Sequence, residues 1–174
     1  MSGKVVQIFI TPDEGGSMQE VNEVKAIKGR GLKGDRYVGD RSAWSKSGRK
    51  VVSQVSLIEQ EAIERTNGKF SAAETRRNIV VSGFRLNDKV GKLFIVGGSL
   101  MKGVELCHPC RRPSKLADKE GFEEAFCGFG GLRAEILLGS IIEVGDEATS
   151  EYFCCLCNSV RQLSHDCPMT YAES

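Results

Sequence analysis

Apolar and polar residues alternate along this chain in short runs that predict strands far more often than helices. Residues 4–10, rich in Val and Ile, read as a strand stopped by Thr11-Pro12, and residues 21–27 alternate as a second strand. Residues 13–17 between them are a polar, glycine-containing loop, and residues 29–40 form a longer loop with four glycines and charges of both signs. Residues 42–49 are polar apart from Ala43 and Trp44, which predicts a mobile loop beside the glycine-rich one. A short strand follows at 51–55. Ser56-Leu57-Ile58-Glu59 then reads as a capping box, with Leu57, Ile58, Ala62 and Ile63 at helical spacing and Asn67-Gly68 as the stop. Ser71-x-x-Glu74 caps one further turn, and Arg76-Arg77 precedes a strand at 78–81.

Residues 93–96 and 99–106 predict a hairpin around Gly97-Gly98, where both turn positions need positive φ. Residues 114–126 carry one short helix at most, ended by Gly128, with Cys127 as a small buried hydrophobe. Gly130-Gly131 opens a second hairpin, 132–138 and 141–144, turning at Gly139-Ser140 and ending at Gly145-Asp146. From Glu147 the strand pattern is lost. The pattern as a whole predicts a mainly β fold with few short helices, a small barrel or sandwich; closing a barrel also removes exposed strand edges. It divides the chain into a β domain at 1–146 and a divergent, cysteine-containing tail at 147–174.

Composition changes this picture little. A chain of 174 residues builds one domain with a real core. Its formal net charge of +1 sets up no global field, so neither a nucleic-acid nor a membrane partner is expected. No stretch approaches the roughly 20 apolar residues of a membrane helix, and the run from Val5 to Ile10 is too short for a secretory signal core. Seven cysteines without such a signal read as reduced thiols in a cytoplasmic protein.

The candidate chemistry lies where the strand at 99–106 ends, in Cys107-His108-Pro109-Cys110-Arg111-Arg112-Pro113. A thiol acts as nucleophile or metal ligand in its thiolate form, which nearby cations favour. Guanidinium donors match the oxygens of phosphate and similar anions. The same seven residues are also compatible with a tight turn holding two ordinary cysteines. Arg36, Arg77 and Arg111 are candidate anion contacts, and Asp35 and Asn78 can orient them. Gly29-x-Gly31-x-x-Gly34 matches a dinucleotide fingerprint in letters only, because no helical period follows it. Cys154-x-x-Cys157 with His165-x-Cys167 offers a Cys3His zinc set against the plainer reading of an irregular tail.

Six pieces in order give the chain a resemblance to the MOSC domain family, in its small free-standing form. They are Gly31-Leu32-Lys33-Gly34-Asp35-Arg36, Gln54-Val55-Ser56-Leu57-Ile58, Arg76-Arg77-Asn78-Ile79-Val80-Val81, Leu106-Cys107-His108-Pro109-Cys110, Gly130-Gly131-Leu132-Arg133-Ala134 and Ile142-Glu143-Val144-Gly145-Asp146. The resemblance implies a closed β-barrel of the pyruvate-kinase-barrel-like type. It implies the molybdenum cofactor, a molybdopterin carrying the metal, with Cys110 as catalytic residue and either molybdenum ligand or carrier of sulfur, and Cys107 as the optional member of the pair. Lys33, Gly34, Asp35, Arg36, Arg77, Asn78, Cys110 and Arg111 are the cofactor-binding positions it points to, and the loop at 33–40 is expected to share a pocket with Cys110. Tyr37 stands where relatives often carry histidine, and the tail after Asp146 matches nothing in the family pattern.

Four functions follow as expectations. The first is an oxidoreductase reducing an N-hydroxylated small-molecule substrate, which needs an electron-donor protein because no flavin or iron–sulfur motif is visible. The second is a sulfur carrier loaded by a partner sulfur donor. The third is a Cys-x-x-Cys thiol–disulfide oxidoreductase, whose usual setting after a strand and before a helix in a βαβ unit looks poor here. The fourth is a binding module without catalysis.

Overall fold

The computed structural model describes residues 2–38, 54–154 and 159–162, with side chains through 151. The residues at 39–53, which include the expected mobile loop and most of the strand expected at 51–55, lie outside the described residues. So does the zinc set beyond Cys154.

The chain enters as β1 (Ser2–Ile10), β2 (Gln19–Val21), β3 (Glu23–Ile27) and β4 (Gly31–Leu32). It continues through β5 (Val55–Glu59), α1 (Gln60–Glu64), a 3-10 turn at Ala73–Thr75 and β6 (Ile79–Ser82). The hairpin β7 (Leu93–Val96) and β8 (Ser99–Leu106) leads into two short helices, α2 (Arg111–Ala117) and α3 (Phe122–Ala125). Then come β9 (Leu132–Leu138), β10 (Ile141–Glu143), β11 (Glu147–Thr149), β12 (Glu151–Cys154) and β13 (Ser159–Gln162). Seven strands, in the order β11-β7-β8-β9-β5-β6-β1, close into a mixed barrel through a β1–β11 seam, and β2 extends β1 outside it. The β5–β6 pair is parallel and the other barrel pairs are antiparallel.

Successive residues of the central strands feed two separate cores. Val55, Leu57, Ile79 and Val81 point into the barrel with Ile8, Phe94 and Met101. Ile58 and Val80 point outward and pack with Phe9 beneath Ala62, Phe70, Phe122 and Phe126. Phe70, Phe122 and Phe126 meet in edge-to-face and tilted contacts with ring centroids 4.5 to 5.8 Å apart, geometry that adds to their burial. A strand covered on both faces reads as an unbroken apolar run rather than an alternating one.

That double burial corrects the capping-box reading. Ser56-Leu57-Ile58-Glu59 is strand β5, and the helix is only Gln60–Glu64. Other expectations shift too. Residues 21–27 break at Asn22 into β2 and β3. β10 pairs with β3 instead of folding back on β9, so the second expected hairpin does not form. Cys127 is exposed; Phe122 and Phe126 supply the burial there. The strand pattern also continues past Asp146, since β11 closes the barrel between β1 and β7.

Candidate functional site at the barrel mouth

Register aligns one layer of residues across five neighbouring strands. Ile8 lies opposite Ile79, Ile79 opposite Leu57, Leu57 opposite Leu132, and Leu132 opposite Leu106. Asn78 and Ser56 lie one residue, and Thr11 three residues, to one side of that layer; because β9 runs antiparallel to β5, Gly131 and Cys107 leave it on the other side. Two glycines allow close approach here. A Cβ at Gly130 would overlap the Cys107 carbonyl oxygen, and one at Gly131, which also sits at φ 95°, would overlap the Leu57 carbonyl oxygen.

A buried polar knot holds the loop that follows β4. The Asp35 carboxylate accepts hydrogen bonds from the Thr11 N–H at 3.0 Å, the Tyr37 N–H at 3.2 Å and the Asn78 amide at 3.1 Å. Asn78 in turn donates to the Phe9 carbonyl at 3.2 Å and accepts from the Ser56 N–H at 3.1 Å and hydroxyl at 2.8 Å. Asp35 and Asn78 therefore use their polar atoms inside the protein. Groups satisfied in this way fix their neighbours, and the neighbour fixed here is Arg36. Its N–H donates to the Thr11 carbonyl at 2.7 Å. Its guanidinium lies 4.4 Å over the Tyr37 ring, donates to the Tyr37 hydroxyl at 3.3 Å and reaches Met18 Sδ at 3.8 Å. Tyr37, the departure from the family pattern, is thus the residue that orients Arg36. Lys33 and Gly34 are exposed on the same loop.

The adjacent Arg76 and Arg77 part company. Arg77 donates to the Gly130 carbonyl at 2.8 Å and to the Thr75 carbonyl at 3.1 Å, tying β6 to the rim. Arg76 follows the 3-10 turn that Ser71 and Glu74 close, and its φ of 63° turns it the other way. Its guanidinium donates to the Gly16 carbonyl. Burial lowers its pKa, and so do the charges of Arg36 and Arg112, against the opposing pull of Tyr37 and Asp35. Three arginines thus lie within electrostatic reach of one another. Sequence reasoning named Arg77, and Arg111 with Arg112, as anion contacts. The structure brings Arg76 and Arg112 within electrostatic reach of Arg36, while Arg77 donates to backbone carbonyls and Arg111 pairs with Glu123.

Cys110 lies directly before α2, with exposed thiol, while Cys107 is buried under the rim with its N–H bonded to the Gly131 carbonyl at 2.8 Å. Arg111 turns outward to Glu123 at 3.3 Å, and Arg112 meets Glu14 at 2.9 Å. Pro113, buried in the first turn of α2, is tolerated there because that turn's N–H groups have no helical acceptor. The Cys-x-x-Cys motif does follow a strand and open a helix, contrary to expectation, but on a barrel rim and with only its second thiol accessible. Arg36, Arg76 and Arg112 all contact the segment between β1 and β2, which brings the loop at 33–38 and α2 against one connecting loop. Among the described residues no three His, Cys, Asp or Glu side chains gather as a metal site, and no helix is long and apolar enough to cross a membrane.

Comparison with known proteins adds a family and a fold. Residues 38–149 match the family model described as MOSC domain. The YuaD protein of Bacillus subtilis superposes with a TM-score of 0.73 at 18% identity, over 85% of this chain and 94% of that one. YiiM of Geobacillus stearothermophilus gives 0.60 at 16% identity, over 84% and 74% of the two chains, and YiiM of Escherichia coli gives 0.59 at 16%, over 86% and 69%. No curated protein matches the chain.

Proposed function

Because this chain belongs to the MOSC domain family, we propose that its barrel mouth binds the molybdenum cofactor and serves an oxidoreductase acting on N-hydroxylated compounds. The observation that carries this reading is the meeting of Arg36, Arg76 and Arg112 beside an exposed Cys110. The donor set fits the group. A molybdopterin presents a phosphate, a polar pterin edge and a thiophilic metal; guanidinium groups suit the first and a thiolate the last. Bound there, the cofactor supplies two-electron redox chemistry, as cofactors carry the hard chemistry in such enzymes.

The chain's own contribution is placement. Arg36, Arg76 and Arg112 neutralise the anion, Tyr37 orients Arg36, and the Asp35–Asn78 knot keeps the loop in position. Exposed Lys33 and Gly34 are the further loop contacts in this reading. Arg77 supports the rim through Gly130, and Arg111 flanks Cys110. Cys110 supplies a thiolate sulfur donor. Reducing an N-hydroxyl group to N–H and water consumes two electrons and two protons, so an electron-donor protein belongs to the scheme.

The test is molybdenum and pterin content of protein made in a host that supplies the cofactor, for the parent, Cys110→Ser and Cys107→Ser. We expect about one equivalent of metal in the parent, loss of metal and N-hydroxylamine turnover in C110S with the fold intact, and a milder effect in C107S. Cyanide-releasable sulfur on Cys110 without molybdenum supports the sulfur-carrier reading instead. Equal loss in both variants with no metal in the parent points to dithiol exchange, which needs both thiols.

A further inference from the structure

One loop touches all three arginines of the mouth. Between β1 and β2, Glu14 meets Arg112 at 2.9 Å, the Gly16 carbonyl accepts from Arg76, and Met18 Sδ takes the Arg36 guanidinium at 3.8 Å. The loop is anchored at its base, where buried Thr11 donates its N–H to Asp35 and its hydroxyl to the Asp13 carbonyl. Its tip is free of packing: Gly15, at φ 83°, has nothing within 4 Å of the position a Cβ would take. The contacts it makes are a carboxylate, a carbonyl and a thioether, the acceptors a protein uses to satisfy cationic donors. An anionic ligand needs the same donors.

We propose that the loop at 11–18 competes with the anionic ligand for Arg36, Arg76 and Arg112, and that Glu14 is the residue that sets the mouth's affinity for anions. This rests on reading the three arginines as an anion site. The exchange is poised near balance. Glu14 and Arg112 have side chains 67% and 55% exposed, and an exposed ion pair contributes little to stability. A phosphate carries more charge than a carboxylate and accepts bidentate bonds from guanidinium groups, so it displaces Glu14. The Gly16 carbonyl and Met18 follow on the same short loop, freeing Arg76 and Arg36 in turn. Glu14 also raises selectivity, because a weakly charged anion gains too little to displace it.

Calorimetric titration with inorganic phosphate tests this on the 174-residue chain, comparing the parent with Glu14→Gln and with Glu123→Gln. The second variant removes one negative charge from the neighbouring helix, where its partner is Arg111. E14Q should bind phosphate about two- to fivefold tighter, the range open to an exposed ion pair, with E123Q close to the parent. Phosphate should also speed backbone amide exchange across residues 13–18 of the parent. Equal affinity in E14Q and parent, or an equal gain in both variants, overturns the competition and leaves only bulk charge. No phosphate binding by any of the three overturns it together with the anion site. If the protein carries neither molybdenum nor pterin yet E14Q still binds phosphate more tightly, the cofactor reading fails and the competing loop stands.

Discussion

Arg76 holds a left-handed backbone conformation at φ 63°, which costs a residue with a Cβ about 1 kcal/mol. Its side chain regains about as much through the bond to the Gly16 carbonyl. Replacing it by glycine removes both terms. We therefore expect Arg76→Gly to melt within about 4 °C of the parent while phosphate affinity falls by about tenfold or more. A large loss of stability with affinity unchanged would make Arg76 a purely structural residue. Its neighbourhood also marks where residue-level reading stops. Asp35, Arg36 and Asn78 stand out in the sequence as polar groups beside glycines and strands. Whether such a group faces a ligand or the protein depends on strands far apart in the chain: the Asn78 amide serves Phe9, 69 positions away, and Asp35, 43 positions away. That Arg76 turns to the Gly16 carbonyl while Arg77 turns to Gly130 depends on one dihedral angle, which no composition or spacing encodes.

The 3-10 turn that delivers Arg76 is closed by Glu74, which accepts from the Ser71 N–H at 2.7 Å and hydroxyl at 3.0 Å and pairs with Lys119 at 2.7 Å. Burial alone would raise the Glu74 pKa; the Lys119 and Ser71 contacts outweigh it and hold the value below the ordinary carboxylate range. A folded-state value below the unfolded one stabilises the protein above the unfolded pKa, and that contribution is lost as pH falls through the folded value. The stability gap between the parent and Glu74→Gln should accordingly be full near about pH 6 and narrow toward about pH 3. Paired thermal melts across that range check it; a gap independent of pH would show that the carboxylate's charge is not used. This turn was legible from Ser71-x-x-Glu74, as was the β7–β8 hairpin from Gly97-Gly98, both of positive φ. Both are local signals. β5 was not legible, because Ser56-Leu57-Ile58-Glu59 satisfies a helix-start pattern while parallel β6 and antiparallel β9 draft it into the barrel wall. Tertiary pairing overrides a local preference of that size.

For the whole molecule, a mainly β barrel or sandwich follows from the density of short strands and the closed barrel from the family resemblance, but the seam follows from neither. β11 is three residues, too short to show a period, yet it pairs with β1 on one side and β7 on the other and buries Ala148. Two truncations separate barrel from tail. Removing residues 151–174 should leave the thermal transition nearly unchanged, since β12 and β13 pair with each other. Removing residues 147–174 should abolish or severely depress it, because an open seam exposes two strand edges and the core behind them. Circular dichroism melts of the two shortened chains distinguish the outcomes; matching transitions would show the seam to be dispensable. The seam has a further consequence at birth. Ser2 lies opposite Thr149, so the barrel's first strand waits for its last. At about 5–20 residues per second, the start of β1 stays without that partner for on the order of ten seconds while the intervening residues are made. The nascent barrel therefore carries an open strand edge until β11 has been made.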